Sequence, residues 1–525
     1  MKPVPFPRHI PAAPTNPADK SGKKAPFRIR DLFDDQTEGS EDKKASGLDE
    51  KLRQAYFWIT NTAIISPFYD IEYHEQPPQS FFFGDSKVQV DLPTGQSYSS
   101  FVLIPLLTLA VRKRCLIVGG PGRGKTATSI LMGLLAGYDL KDMKRAIQHG
   151  QPQMTVADLL GHPFPGDLMK SEDPSQIRIS WRKWLGMRVK IIDEYNRIPT
   201  RTQSALLTVL ADNYAEIMDQ IYECPEAAWY LTANDDAGGG TYQVIEALKD
   251  RIDVVVRALH FNTRFLEDLQ HRIETGFQPE KNIPGEIVFT EEELDTLYQE
   301  ILAIRIPVLI RKKIEFFARQ FEFFEPASTK LEYMTKDTAK LSGLDFQELM
   351  SQESGKDQIR DLGSQAKNGL SVRKLMTILL FTKALAYFRG HGEVEDEDVR
   401  QIIPFVLHDS LSPYLESPYF DSEENGPYRV DRITWIRKTY DLSCQEFERL
   451  KLQKHDPVEE TEKLFRMGLE DLSIKEVEKR MFQIEQILKE MSKTQKLYGH
   501  MADDILKLKY FHQRYTNYRR WLQWK

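Results

Sequence analysis

The stretch Gly119-Gly120-Pro121-Gly122-Arg123-Gly124-Lys125-Thr126 constrains this chain more than any other. Cys115-Leu116-Ile117-Val118 before it is apolar and β-branched at its end, and residues 127–135 after it carry good helix formers. Strand, glycine-rich turn and helix form the setting in which G-x-x-x-x-G-K-[ST] wraps a phosphate. Glycines let the backbone close on the anion, and the opening helix presents unpaired N–H groups and a positive dipole end. Gly119, Gly120, Pro121, Gly122, Arg123, Gly124, Lys125, Thr126 and Ala127 are therefore the candidate cradle for ATP. Lys125 would supply a mobile charge for the β- and γ-phosphates, and the Thr126 hydroxyl is placed to ligate Mg²⁺.

A length of 525 residues predicts two to four domains. Hydrophobic content of 41% and charged content of 28% are those of a globular protein, and a net charge of −7 gives no general pull towards nucleic acid. Cys115, Cys224 and Cys444 stand far apart, which argues against a disulfide framework or a C-x-x-C metal site and fits a reducing compartment. The histidines show no zinc spacing. The most apolar run, residues 101–111, is about half the length of a membrane span, and the N-terminus lacks a signal-peptide core. A cytoplasmic protein without membrane contact is expected.

Residues 1–47 are rich in Pro and charge, which predicts a flexible arm that cannot offset its ordering entropy. An ordered extension, 48–98, follows: helical to about Ile65, then an alternating stretch from Phe81 to Val102 that turns at Pro93-Thr94-Gly95 and reads as a β-hairpin or a loop leading into the core.

Val189-Lys190-Ile191-Ile192-Asp193-Glu194 is the second strong signal. An apolar strand ending in Asp-Glu, some way after a phosphate loop, completes a P-loop ATPase site. Asp193 would hold Mg²⁺ and Glu194 would orient or deprotonate the attacking water.

Asp193-Glu194-Tyr195-Asn196-Arg197-Ile198-Pro199 with Thr202-Gln203-Ser204-Ala205-Leu206-Leu207 resembles the D-E-I-N-R-x-P…T-Q-S-A-L-L segment of MoxR-type AAA+ ATPases. Leu231-Thr232-Ala233-Asn234, Gly240-Thr241-Tyr242 and Glu246-Ala247-Leu248-Lys249-Asp250-Arg251 continue the likeness. Gly369-Leu370-Ser371-Val372-Arg373 and Glu397-Asp398-Val399-Arg400 extend it, so that it spans residues 99–412. Departures include Arg123, Ile252 and Asp235, as in a divergent branch. The resemblance implies an α/β fold: a P-loop AAA+ core with a parallel five-stranded sheet at 99–262, then a helical lid at 263–415. It implies Asn234 as a sensor of the γ-phosphate or lytic water, against the plainer role of an Asn that ends a strand. It implies Arg251 as a finger reaching the neighbouring subunit's nucleotide, against a surface pair with Asp250. Arg373 would be the lid arginine that contacts nucleotide, and Arg197 a further interface residue. The segment from His149 to Trp184 would hold an insert directed at the ring pore.

Beyond the likeness, residues 416–430 read as a linker. Ile474, Val477, Met481, Ile484, Leu488 and Met491 form a coiled-coil seam. The face Ile505, Leu508, Phe511, Tyr515 and Tyr518 after Gly499 predicts its antiparallel partner, so that 416–525 would be linker and C-terminal helical hairpin, and removal from about 430 onward is expected to leave the ATP site working. The basic aromatic end, with Lys507, Lys509, Arg514, Arg519, Arg520 and Lys525, is expected to turn back towards the lid or core. It could bind single strands, but packing or partner docking suits the acidic whole better. The expected function is ATP hydrolysis by a hexameric ring that remodels or matures a partner, with a von Willebrand factor A domain protein as the family's usual companion. A nucleic-acid-coupled motor and a nucleotide-dependent scaffold are the alternatives.

Overall fold

The computed structural model describes residues 47–84, 88–169, 177–234, 244–343, 348–349, 361–454, 456–469, 472–494 and 496–524. The expected arm, the Gly240-Thr241-Tyr242 element and Asp235 lie outside them.

Five strands form the central sheet: β1 (Arg114–Val118), β2 (Gln148–His149), β3 (Val189–Asp193), β4 (Ala228–Ala233) and β5 (Val254–Arg257). All neighbours are parallel, in the order β5-β1-β4-β3-β2. Such strands are covered on both faces, and the continuous apolar runs Cys115-Leu116-Ile117 and Val254-Val255-Val256 are buried accordingly. Register sets Val118 beside Ala233, Leu231 beside Ile192 and His149 beside Asp193. The carboxyl ends of β1, β3 and β4 therefore open at one edge, where an open α/β sheet binds its ligand.

The apolar run 101–111 is not a membrane element. It is the helix Ser100–Val111, apolar all round and buried along nearly its whole length against the sheet and the lid. Among the described residues no helix is long and apolar enough to cross a membrane. The lid helix Glu291–Ala303 buries Leu294, Leu297 and Ile301, the spacing expected of its inner face.

The ordered extension is tied to the lid as well as to the core. Arg53 of the helix Leu48–Trp58 donates to the Phe388 carbonyl, and the Tyr73 hydroxyl donates to Asp398 over 3.0 Å. Its hairpin pairs Gln79–Phe83 with Val88–Leu92, so of the two expectations for Pro93-Thr94-Gly95 the hairpin turn fails and the loop holds. Pro93-Thr94-Gly95 instead leads into Ser97–Tyr98, which pairs with Ile71–Glu72. The alternation misled because Phe81, Phe83, Val88 and Val90 share a ribbon face that stays exposed.

Residues 416–430, expected to be a linker, place Tyr419 and Phe420 in the main core. The helix Arg432–Arg449 adds Trp435, Ile436 and Tyr440 to it. A second core joins Pro457–Arg466, Ile474–Met491 and Gly499–Trp524 around Val458, Val477, Met481, Ile484, Leu508, Phe511 and Tyr515. Contacts of Glu485 with His512 and Arg480 with Tyr515 show the last two helices to be antiparallel. The start of the last helix, rather than its basic end, makes the main attachment to the lid: Asp504 pairs with Arg319 at 2.5 Å, and His500 packs on Phe316. Lys509 reaches Glu332, while Trp521 and Trp524 stay exposed.

Candidate functional site

After β1 the chain turns through Gly119, Gly122 and Gly124, all at positive φ, into the helix Lys125–Leu135. The turn needs glycine. A Cβ on Gly119 would sit 2.7 Å from the Ala258 carbonyl oxygen. Lys125 is only 7% exposed. Its ammonium donates to the carbonyls of Gly119 (2.6 Å) and Gly120 (2.8 Å) and to Oδ1 of Asn234 (2.8 Å). The charge is thus held at the mouth of the loop by groups that an incoming phosphate could replace.

Asp193 ends β3 beside the loop. Its Oδ1 accepts from Thr126 (2.7 Å) and from Thr232 (2.6 Å), and His149 Nδ1 lies 3.2 Å from Oδ2. A hydroxyl oxygen and a carboxylate side by side are hard donors that suit Mg²⁺, so Thr126 and Asp193 fit that ion. Thr232 and His149 were not singled out in the sequence. The signals for them were modest: Thr232 stands two residues before Asn234, and His149 is the register partner of Asp193.

Glu194 takes a left-handed conformation (φ 54°, ψ 49°), and its amide donates to the Thr232 hydroxyl over 2.9 Å. Its carboxylate accepts from the Asn234 amide at Oε1 (2.7 Å) and faces Arg197 Nε from Oε2 (3.1 Å). Lys125, the adjacent pair Asp193 and Glu194, and Asn234, drawn from three separate stretches of sequence, therefore form one polar group connected through Thr232. Arg197 belongs to the same group within this chain.

Two expected residues stand elsewhere. Arg251 ends the helix Glu246–Arg251, donates to Ala247 O at 3.0 Å, and buries an Nε that has no hydrogen-bond partner among the described residues. Arg373 pairs with Asp250 at 2.5 Å rather than with the phosphate loop. The plainer expectation for Arg251, a pair with Asp250, is thus taken by Arg373 instead.

Sequence reading also missed a cavity of about 520 Å³ beside Gly122, Arg123, Gly124 and Ala127. Ile64, Ile65, Pro67, Phe68, His260, Phe261 and Arg272 line it as well. The Phe68 and His260 rings lie 5.2 Å apart. Arg272 donates to the carbonyls of Thr62 (2.6 Å) and Ala63 (2.7 Å), and burial lowers its pKa. A half-apolar cleft touching the phosphate loop is suited to a nucleobase.

Residues 114–254 match the sequence model of a family described as ATPases associated with various cellular activities. This segment is an AAA+ ATPase core. It runs from β1 into β5 and holds the loop, Asp193, Glu194, Asn234 and Arg251, while Arg373 and the lid lie beyond it. No curated protein matches the chain. A solved structure of a candidate ATPase from Cytophaga hutchinsonii is 17% identical over 65% of this chain and 88% of that one, with a TM-score of 0.43. That likeness is too loose to carry any chemistry.

Proposed function

We propose that the chain hydrolyses ATP as a hexameric ring of like subunits and uses the energy to remodel or mature a partner protein. The convergence of Lys125, Asp193, Glu194 and Asn234 at the carboxyl ends of adjacent strands carries this reading. In it, the loop Gly119–Lys125 receives the phosphates, and the cavity beside Phe68 and His260 receives the base. Mg²⁺, held by Thr126 and Asp193, would offset phosphate charge. Glu194 orients the attacking water and accepts its proton, and Asn234 fixes Glu194 in position. Arg251 of each subunit acts at the ATP of the next. The resemblance to MoxR-type ATPases supports six subunits, a cytoplasmic setting and a von Willebrand factor A domain protein as the companion.

The alternative of a nucleic-acid motor loses ground in the last helix. Phe511 and Tyr515 are buried, and Lys507, Lys509 and Arg519 face Glu462, Glu332 and Glu478. The scaffold alternative is opposed by the intact Glu194 and Asn234. The test is ATP turnover with and without Mg²⁺, alongside mass measurement in solution with ATP bound. Absence of turnover in the assembled protein would remove the reading. Stimulation by single-stranded DNA or RNA at physiological salt, and not by a von Willebrand factor A domain protein, would favour the motor.

A further inference from the structure

His149 meets the oxygen of the Asp193 carboxylate that the two threonine hydroxyls do not. Oδ1 accepts from Thr126 and Thr232, and Thr232 is itself aimed by the Glu194 amide that donates to its oxygen. Oδ2 faces Nδ1 of His149 at 3.2 Å. The backbone brings His149 there. β2 runs parallel to β3 with His149 as the register partner of Asp193, and the Gly150 amide donates to the Asp193 carbonyl over 2.7 Å. A Cβ on Gly150 would collide with the Glu194 carbonyl oxygen, so glycine is what lets the two strand ends come this close.

The chemistry of the pair fixes its protons. A carboxylate only accepts, so Nδ1 carries a proton and donates it to Oδ2. A nitrogen bearing a proton has no lone pair for a cation, and in the neutral ring that lone pair sits on Nε2, across the ring from Asp193. A carboxylate turns about a broad torsion unless its oxygens are held. With hydroxyls on Oδ1 and the imidazole on Oδ2, the plane of Asp193 is set beside Thr126.

We infer that His149 is a positioning residue for the cation that accompanies the nucleotide. It acts through Asp193: its Nδ1–H holds Oδ2, so that the carboxylate meets the cation, or the water the cation carries, in one orientation. The inference rests on the reading of Thr126 and Asp193 as the cation site. Partners that orient a metal-binding side chain commonly carry roughly ten- to hundredfold in metal affinity. The His149 side chain is 59% exposed, which places its effect at the low end.

The experiment reads cation affinity directly. The full chain, saturated with a non-hydrolysable ATP analogue, is titrated with Mn²⁺ in place of Mg²⁺, and free Mn²⁺ is followed by electron paramagnetic resonance. The variants are His149→Ala, His149→Phe, His149→Asn and His149→Gln. The Asn amide nitrogen reaches the place of Nδ1, and that of Gln the place of Nε2. Ala and Phe should weaken Mn²⁺ binding about tenfold, while the Kd of a fluorescent ATP analogue in EDTA stays at its wild-type value. Asn should restore most of the affinity and Gln should not. In turnover, His149→Ala should need more Mg²⁺ for half-maximal rate and recover kcat at saturating Mg²⁺. Wild-type Mn²⁺ affinity in both Ala and Phe overturns the inference, as does rescue by Gln instead of Asn. Coupling of Mn²⁺ to an imidazole nitrogen in spin-echo spectra, lost in His149→Ala, would make His149 a ligand and overturn it too. If the wild-type complex holds Mn²⁺ no more tightly than the analogue alone, and Asp193→Ala matches it, the reading of the cation site itself fails.

Discussion

Asn234 donates its amide to Oε1 of Glu194 over 2.7 Å while accepting the Lys125 ammonium at its own Oδ1 over 2.8 Å. One neutral side chain thus joins the phosphate-loop cation to the carboxylate proposed as base. A γ-phosphate that draws Lys125 towards itself would release one side of Asn234 and so alter the hold on Glu194. Glu194→Gln should bind nucleotide as before, yet lose at least ~10²-fold in turnover, the scale for a missing general base. Asn234→Ala should fall less far, because the base remains and only its orientation is lost. Single-turnover ATP hydrolysis separates the two, and near-wild-type rates in Glu194→Gln would exclude it from the chemistry.

Arg251 offers a test of the divided site. Arg251→Ala should bind nucleotide normally and hydrolyse it poorly, since a finger contributes about 10³–10⁵ in rate. Mixed with Lys125→Ala subunits, it should regain activity at interfaces where each subunit brings its intact half. Mixed rings that stay inactive would show that Arg251 does not act across an interface.

Gly119 tests the loop. Its φ of 155° and the Ala258 carbonyl oxygen, which would lie 2.7 Å from a methyl at this position, leave no room for a side chain. Gly119→Ala should abolish ATP binding measured by calorimetry while circular dichroism stays native. Unchanged affinity would mean that the loop adjusts without cost.

The phosphate loop, the Asp193-Glu194 strand end and the inner face Leu294, Leu297 and Ile301 were legible because each is a local pattern with one stable placement. The wall of the base cavity was not. Ile64–Phe68 and Arg272 meet only in the folded chain, and neither carries a motif of its own. The ribbon turn was misplaced because Phe81 to Leu92 alternates as a buried strand would, yet its apolar face meets no core. The helix Arg432–Arg449 showed its Trp435, Ile436, Thr439, Tyr440 spacing openly, but a polar overall composition concealed how deeply it packs.

His500 and Asp504 set opposing pH dependences where the last helix meets the lid. Burial pushes the Asp504 pKa up from 3.8 to about 6 against the pull of Arg319, and Asp503 is raised too. The folded form then holds the proton more tightly, so this contribution is full below 3.8 and is lost as pH rises through about 6. Burial pushes His500 down from 6.5 to about 4, so its contribution is full above 6.5 and is lost as pH falls through about 4. The slopes offset each other between those limits. Hydrogen exchange in the helix Gly499–Trp524 should therefore become faster with rising pH in His500→Gln, after correction for intrinsic rates, and slower in Asp504→Asn. Identical profiles in both variants would refute the opposition.

The C-terminal region divides at about residue 455, not at 430. Trp435, Ile436 and Tyr440 are 0–1% exposed within the main core, and Asp441 binds Arg400 at 2.7 Å. Truncating a buried aromatic alone costs roughly 3–5 kcal/mol, so deleting everything from 430 should unfold the ATPase core. Residues 456–524 instead enclose their own core, in which Val477, Met481, Ile484 and Phe511 each contribute about 1.5–3 kcal/mol of burial. Deleting from 456 should leave the melting temperature and basal ATP turnover close to wild type while abolishing attachment of a partner protein. If that shorter chain can no longer assemble or hydrolyse ATP, the three-helix module belongs to the ring and its role as a docking element fails.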